Sequence, residues 1–274
     1  MHRWLIDNAH LALWAVGCFG GFVAAIGVLR VRGVCEWRTV VALMWALFGL
    51  MLGGVWQARL EWMPLGEALW ITPADVLTGG GRITLGLAMG AGLAAAWCAL
   101  SRAPWRPTGD ALAVAAPVIE IAGRFGCLAA GCCTGTVCGR WAPIPICAHP
   151  GRDSEVFARQ VTQGLVDASA GAALPTHPLP VYFMLAAVAL LALLLWQLRR
   201  RVAPGTMMLT FGILWPLSKL ALEQLRETPR PPGLATAVPV AMLVTSAIVM
   251  ALWRPQSRPP EQPNVTTVGR PDPG

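Results

Sequence analysis

Long apolar runs separated by short polar connections dominate this chain. Seven runs stand near residues 10–29, 39–57, 83–100, 111–133, 178–198, 205–225 and 234–253. Each is close to the ~20 residues that an α-helix needs to cross the hydrocarbon core of a bilayer. The pattern predicts an all-α, polytopic membrane protein, with about seven transmembrane helices in one bundle over residues 1–253. Little sequence is left for a soluble catalytic domain, and no repeat of fixed period is evident.

Composition agrees with the pattern. Of 274 residues, 55% are hydrophobic and 13% charged, and the mean hydropathy is +0.57, against roughly 25% charged in an ordinary soluble domain. A net charge of +7 raises the question of nucleic acid, but the placement of the charges answers differently, and no nucleic-acid partner is expected. Arg30, Arg32 and Arg38 join the first two runs, Arg102 and Arg106 the third and fourth, and Arg199, Arg200 and Arg201 the fifth and sixth. Arg254, Arg258 and Arg270 follow the seventh. Basic residues near span ends mark the cytoplasmic side, so the N-terminus is expected outside and the C-terminus inside. Residues 1–30 do not read as a cleaved signal peptide, because the positive residues follow the apolar run and no Ala-x-Ala-like site closes it. The tail "RPQSRPPEQPNVTTVGRPDPG", residues 254–274, is polar and proline-rich and is expected to be a disordered cytoplasmic appendage.

Two connections on the expected outer side are long, 58–82 and 134–177. In the second, Val156, Phe157, Val161, Leu165 and Val166 recur near helical spacing. They predict a short amphipathic helix around Asp153 to Leu165, lying either on the membrane surface or against the bundle.

Ionisable side chains inside spans are rare and by default mark function. Glu120 and Arg124 lie in the fourth run, Lys219 and Glu223 in the sixth, and Lys219 is the only lysine in the chain. Within each pair the spacing of four places both groups on one helical face. Two readings follow: ion pairs that lock helices together, or an outer-half lipid cavity in which Arg124, Lys219 and Arg226 face a phosphate. Arginine offers a planar fork of donors and lysine a point charge, both suited to phosphate oxygens. Arg59, just past the second run, and Arg82, in "GGGR" before the third, add cations on the same side. The glycines of "GGGRITLGLAMG" permit either an irregular headgroup-binding loop or plain close helix packing.

Cys18 and Cys98 lie in apolar runs and read as core residues, and Cys35 falls in an inside loop. Cys127, Cys132, Cys133, Cys138 and Cys147 cluster toward the outer face, where an oxidising exterior permits a disulfide. Cys138 with Cys147 is the simplest pairing, but either could instead join Cys132 or Cys133. These cysteines with His149 show no C-x-x-C and no clear zinc-ligand spacing; neither a metal nor a cofactor is expected.

The motif "GRFGCLAAGCCTG", Gly123 to Gly135, preceded by Asp110 and Ala116-Pro117, resembles the signature of the prolipoprotein diacylglyceryl transferase family, in its Gly-Arg-x-Gly-Cys…Gly-Cys-Cys-x-Gly variant. Four other segments agree in order: "GGVWQARLEW", "GGGRITLGLAMG", "HPLPVYF", which is similar to His-Pro-x-Gln-Leu-Tyr-Glu, and "LWPLSKLALEQLRETPRP". The resemblance covers roughly residues 45–230. It implies an enzyme of the bacterial inner membrane that moves diacylglyceryl from phosphatidylglycerol to the lipobox cysteine of a prolipoprotein, releasing glycerol phosphate. It makes Arg124 the central phosphate contact, with Arg59, Arg82, Lys219 and Arg226 around it. It adds Glu223 as the group orienting Lys219, Tyr182 as part of the cavity wall, and His177 and Glu120 as the candidates for a base. The chain also departs from the family: Leu85 stands where the family carries a histidine, Cys127 and Ala130 replace asparagines, Cys132 a glutamate, Lys219 an arginine and Trp215 a tyrosine. Two alternatives therefore accompany the transferase reading, a related enzyme with another lipid donor or acceptor, and a non-catalytic phospholipid-binding paralogue.

Overall fold

The computed structural model describes residues 2–60, 83–129, 133–138, 147–152, 154–226 and 234–252. Arg82 and the glycines 79–81 before it, Cys132 and the tail 254–274 lie outside them. Among the described residues are eight helices and no extended strands: α1 (His2–Val31), α2 (Trp37–Leu60), α3 (Ile83–Ser101), α4 (Trp105–Ala129), α5 (Glu155–Thr162), α6 (Leu179–Arg199), α7 (Thr206–Glu223) and α8 (Leu234–Ala251). Segments within α1, α2, α3, α4 and α6 are long and apolar enough to cross a bilayer. The protein is an α-helical, multi-pass membrane protein. The sixth and seventh apolar runs also form helices, α7 and α8, of 18 residues each.

Two helix pairs make the closest partnerships, α2 with α3 and α1 with α4. Glycine makes the first possible. A Cβ on Gly86 would stand 2.4 Å from the Leu50 carbonyl oxygen, and one on Gly90 2.4 Å from that of Ala46, so the backbones themselves are in contact. Small residues serve this purpose between membrane helices because lipid offers no hydrophobic drive for helices to associate. Gly86 and Gly90 therefore act as packing residues. Helix α4 is the hub, packing on α1, α6 and α7.

Helix α5 resolves the choice posed by its amphipathic pattern. Ser154 caps its first turn, its Oγ accepting from the Phe157 N–H at 3.2 Å. Val156 and Phe157 are buried against Ala173, and the Gln160 side chain both accepts from and donates to the Leu174 backbone. Val156 and Phe157 are thus covered by the protein's own loop, whereas Leu165 is exposed. The Cys138–Cys147 disulfide forms in the same connection.

One large apolar cavity, about 580 Å³, opens among α2, α3, α4, α7 and α8. On α4 its wall runs from Trp105 to Ile119, and on α7 from Met208 to Gly212. It occupies the N-terminal parts of both helices, and Glu120 and Arg124 on α4 and Lys219 and Glu223 on α7 come later in each.

Candidate functional site

The C-terminal halves of α4 and α7 bring together the ionisable residues that their sequences space four apart. On α4, Arg124 pairs with Glu120 at 3.1 Å. On α7, Lys219 pairs with Glu223 at 3.5 Å, and Glu223 also holds Arg226 through two contacts of 2.6 and 3.1 Å. Arg124, Lys219 and Arg226 are exposed by only 8, 5 and 9%. Isolated ions at this depth would be costly, so their mutual pairing is what permits burial.

The two helices are stitched to each other and to α6. Trp215 on α7 donates its indole N–H to the second oxygen of Glu120 at 2.6 Å, so both oxygens of that carboxylate are engaged. The ring of Phe183 on α6 lies 4.0 Å from the Arg124 guanidinium carbon and 4.4 Å from Lys219 Nζ. A desolvated cation over an aromatic face gains about 2 kcal/mol, and here one ring serves two cations. Glu120, Phe183, Trp215, Ser218 and Lys219 line a small cleft of about 10 Å³, room for about one water-sized group.

Tryptophan at 215 carries a testable share of this arrangement. Trp215→Phe keeps an aromatic ring stacked on Phe211 but leaves a buried carboxylate oxygen without its donor. Hydrogen bonds to charged groups contribute about 1.5–3 kcal/mol, and unfolding in detergent should show a loss of that order; a variant as stable as the parent would mean that Glu120 is satisfied otherwise.

The segment after α4 closes the site from above the helix ends. Gly135 N–H donates to the His177 carbonyl at 2.8 Å, Thr136 N–H to that of Leu225 at 2.8 Å, and His177 N–H to that of Thr136 at 3.1 Å. This ladder ties the entrance of α6 to the exit of α7 through residues 135–136. A Cβ at Gly135 would meet the Leu225 oxygen at 2.6 Å and His177 Cβ at 2.8 Å, so only glycine fits. His177 is buried, and its Nδ1 shares a 3.1 Å hydrogen bond with the Tyr182 hydroxyl. Cys133, at the start of this segment, is a free cysteine.

The structure thus gathers Glu120, Arg124, Lys219, Glu223 and Arg226 into one cluster, with the His177–Tyr182 pair on the connected loop. Arg59 is half-buried at the C-terminal end of α2, whose main partner is α3, and Arg82 lies outside the described residues. Sequence reasoning did not anticipate Trp215 as the donor to Glu120 or Phe183 as the ring between two cations. The signal for Trp215 was its position four residues before Lys219, on the same face of α7.

Among the described residues, no group of three or more His, Cys, Asp or Glu is placed to hold a metal ion. The chemistry that buried, paired cations of this kind offer is the binding of an anion. A search of curated proteins returns no significant match. A family model described as prolipoprotein diacylglyceryl transferase matches residues 4–254, nearly the whole chain and all of the cluster. The chain therefore belongs to the prolipoprotein diacylglyceryl transferase family, whose activity is lipid transfer in lipoprotein biosynthesis.

Proposed function

We propose that this protein transfers diacylglyceryl from phosphatidylglycerol to the lipobox cysteine of a prolipoprotein, in a bacterial inner membrane, with its N-terminus outside and its C-terminus cytoplasmic. One observation carries the reading of the donor. The buried cluster holds three cations, Arg124, Lys219 and Arg226, against two carboxylates, Glu120 and Glu223. A membrane-buried cluster with an excess positive charge is completed by an anion, and a phosphodiester fits its guanidinium donors.

The apolar cavity supports the same reading. Its lining on α4 reaches Ile119, the residue before Glu120, and continues among α2, α3, α7 and α8, which offers acyl chains an apolar site on the same two helices that carry the cations. Arg124 is the central phosphate contact. Lys219 and Arg226 take the charge that develops on the departing glycerol phosphate, Glu223 orients both, and Glu120 orients Arg124. Arg59 and Arg82 serve the headgroup from the neighbouring helix ends. Tyr182 and His177 line the side on which the acceptor enters. Stabilising charge that appears only as the leaving group departs is what lowers the barrier.

The donor assignment is tested with the full-length protein in vesicles of phosphatidylglycerol or of phosphatidylcholine, each with a synthetic lipobox peptide. Transfer is expected from the first and not the second. Equal transfer from both would dismiss the headgroup reading. Binding of phosphatidylglycerol without any product would favour the non-catalytic paralogue, to which leucine at position 85 already points.

A further inference from the structure

Two members of the site stand outside the membrane helices. Arg226 follows the end of α7, and His177 precedes the start of α6, so helical geometry fixes neither. At Arg226 the exit turn of α7 supplies two backbone bonds, from Leu225 N–H to the Leu222 carbonyl and from Arg226 N–H to that of Glu223, each 3.1 Å. The link between Arg226 and His177 runs through residues 135 and 136. Gly135 pairs with Arg226, Thr136 N–H donates to Leu225, and the Thr136 carbonyl accepts from His177.

The anchor of that segment lies just beyond it. Thr176, fully buried, is paired on one side with Val137 and on the other with Ala148. Cys138 N–H donates to the Pro175 carbonyl at 2.8 Å, and Ala148 and Thr176 exchange two bonds of 2.9 Å. Residues 175–177 thus lie between two flanking segments, and the Cys138–Cys147 disulfide joins those flanks to each other. It closes a clasp around Thr176, the neighbour of His177. The bonds of Ala173 to Pro150 and of Leu174 to Gln160 hold the far side of this layer, but they do not reach 135–138. A ladder of so few hydrogen bonds is weak against water, because each contributes little net stability. A covalent link between its flanks removes open arrangements from competition.

We propose that the Cys138–Cys147 disulfide is a positioning element of the site. Closed, it holds Arg226 against Glu223 and His177 against Tyr182; opened, it lets both drift while the helix-borne Arg124 and Lys219 stay in place. This rests on the diacylglyceryl-transfer reading. There, Arg226 meets charge that develops as glycerol phosphate departs, so its displacement slows the chemical step more than it weakens lipid binding, which Arg124 and Lys219 sustain. On the outward side of the proposed topology, oxidising surroundings keep the bond closed.

The first test compares the full-length parent with the double variant Cys138→Ala/Cys147→Ala in phosphatidylglycerol vesicles with a lipobox peptide. Each is assayed with and without a phosphine reductant, which with water converts the disulfide to two thiols and itself becomes the phosphine oxide. The double variant is expected to lose about 10-fold to 10²-fold in kcat, the scale of a displaced group, with KM for the lipid within about twofold of the parent's. Reduction should bring the parent to the same rate and leave the double variant as it was. That contrast separates the bond from the free cysteines Cys35, Cys127 and Cys133, which both proteins share. An undiminished kcat, a change confined to KM, or equal sensitivity of both proteins to the reductant overturns the proposal.

The second test reads the ladder without turnover. On reduction of the parent, amide hydrogen exchange should quicken in peptides spanning 134–138, 175–178 and 224–226 and stay unchanged in α4. Unchanged exchange at the ladder overturns the proposal, as does faster exchange throughout α4, which would make the disulfide a support of the whole fold. Local quickening in a parent protein that transfers nothing overturns the donor and acceptor assignment and leaves the clasp standing.

Discussion

Arg124→Gln is expected to lower diacylglyceryl transfer to a lipobox peptide by about 10²–10³-fold, the usual consequence of removing one preorganised donor from a developing anion. The expectation follows from how completely the side chain is held. Glu120 fixes one edge of the guanidinium at 3.1 Å, and Phe183 lies 4.0 Å from its centre. Trp215 in turn fixes Glu120 at 2.6 Å. A group so constrained needs no reorganisation when the phosphate leaves. Glutamine keeps a hydrogen-bonding end without charge, and the Glu120–Trp215 bond remains, but Glu120 loses its buried cation, so the loss of rate should come with a lower melting temperature. Arg124→Lys should lie between, because it restores the charge without the planar fork. Both variants are assayed in phosphatidylglycerol vesicles beside a melting curve in detergent. A folded Arg124→Gln protein with the parent rate would remove this residue from the site.

Asp110→Ala is expected to be the most destabilising single change, at about 3–5 kcal/mol, the range for breaking a buried ion pair from one side. Asp110 is fully buried at the start of α4. It accepts from Arg32 at 3.0 Å and from the backbone N–H groups of Gly205 and Met208 at 2.9 and 3.0 Å. It thereby caps α7 from outside that helix, where a negative charge also complements the helix dipole. Arg32 reaches on to the Val202 carbonyl. Alanine would take the carboxylate from a half-buried arginine and leave two backbone donors unmet together. Because α4 and α7 carry the functional cluster at their other ends, the same staple sets the register of Glu120 against Trp215. Melting in detergent should show a large drop in Tm for Asp110→Ala and a smaller one for Asp110→Asn, which keeps an acceptor. An unchanged Tm would show that α7 is held by packing alone.

Much of this architecture could be read directly from the chain. Helices α1 to α4 and α6 to α8 fall where apolar runs of spanning length occur, because hydropathy and length together leave the backbone few alternatives in lipid. The pairs Glu120–Arg124 and Lys219–Glu223 follow from the helical repeat. Contacts between helices did not follow from it. The stripe spacing of α4 and α7 does not say that Trp215 meets Glu120, since that depends on the relative rotation of two helices that Asp110 and Arg32 set at a distance. The position of Phe183 offered a hint. In the motif His-Pro-x-Gln-Leu-Tyr-Glu, which "HPLPVYF" resembles, the closing glutamate corresponds to Phe183, so this chain replaces a carboxylate by a ring and keeps the cluster's positive excess. The glycines at 86 and 90 were open to two readings, and the contact with Ala46 and Leu50 decides for packing. The cysteine pairing was a choice among several, and the fold brings Cys138 to Cys147.

The central claim is that a cation-rich buried cluster above an apolar cavity takes an anionic phospholipid and passes its diacylglyceryl group to a thiol. The mass of a lipobox peptide after incubation with the full-length protein in phosphatidylglycerol vesicles tests it most directly. The account predicts a gain of one diacylglyceryl group on the cysteine, with glycerol phosphate released in equal amount. A peptide recovered unmodified from folded, lipid-loaded protein would contradict it.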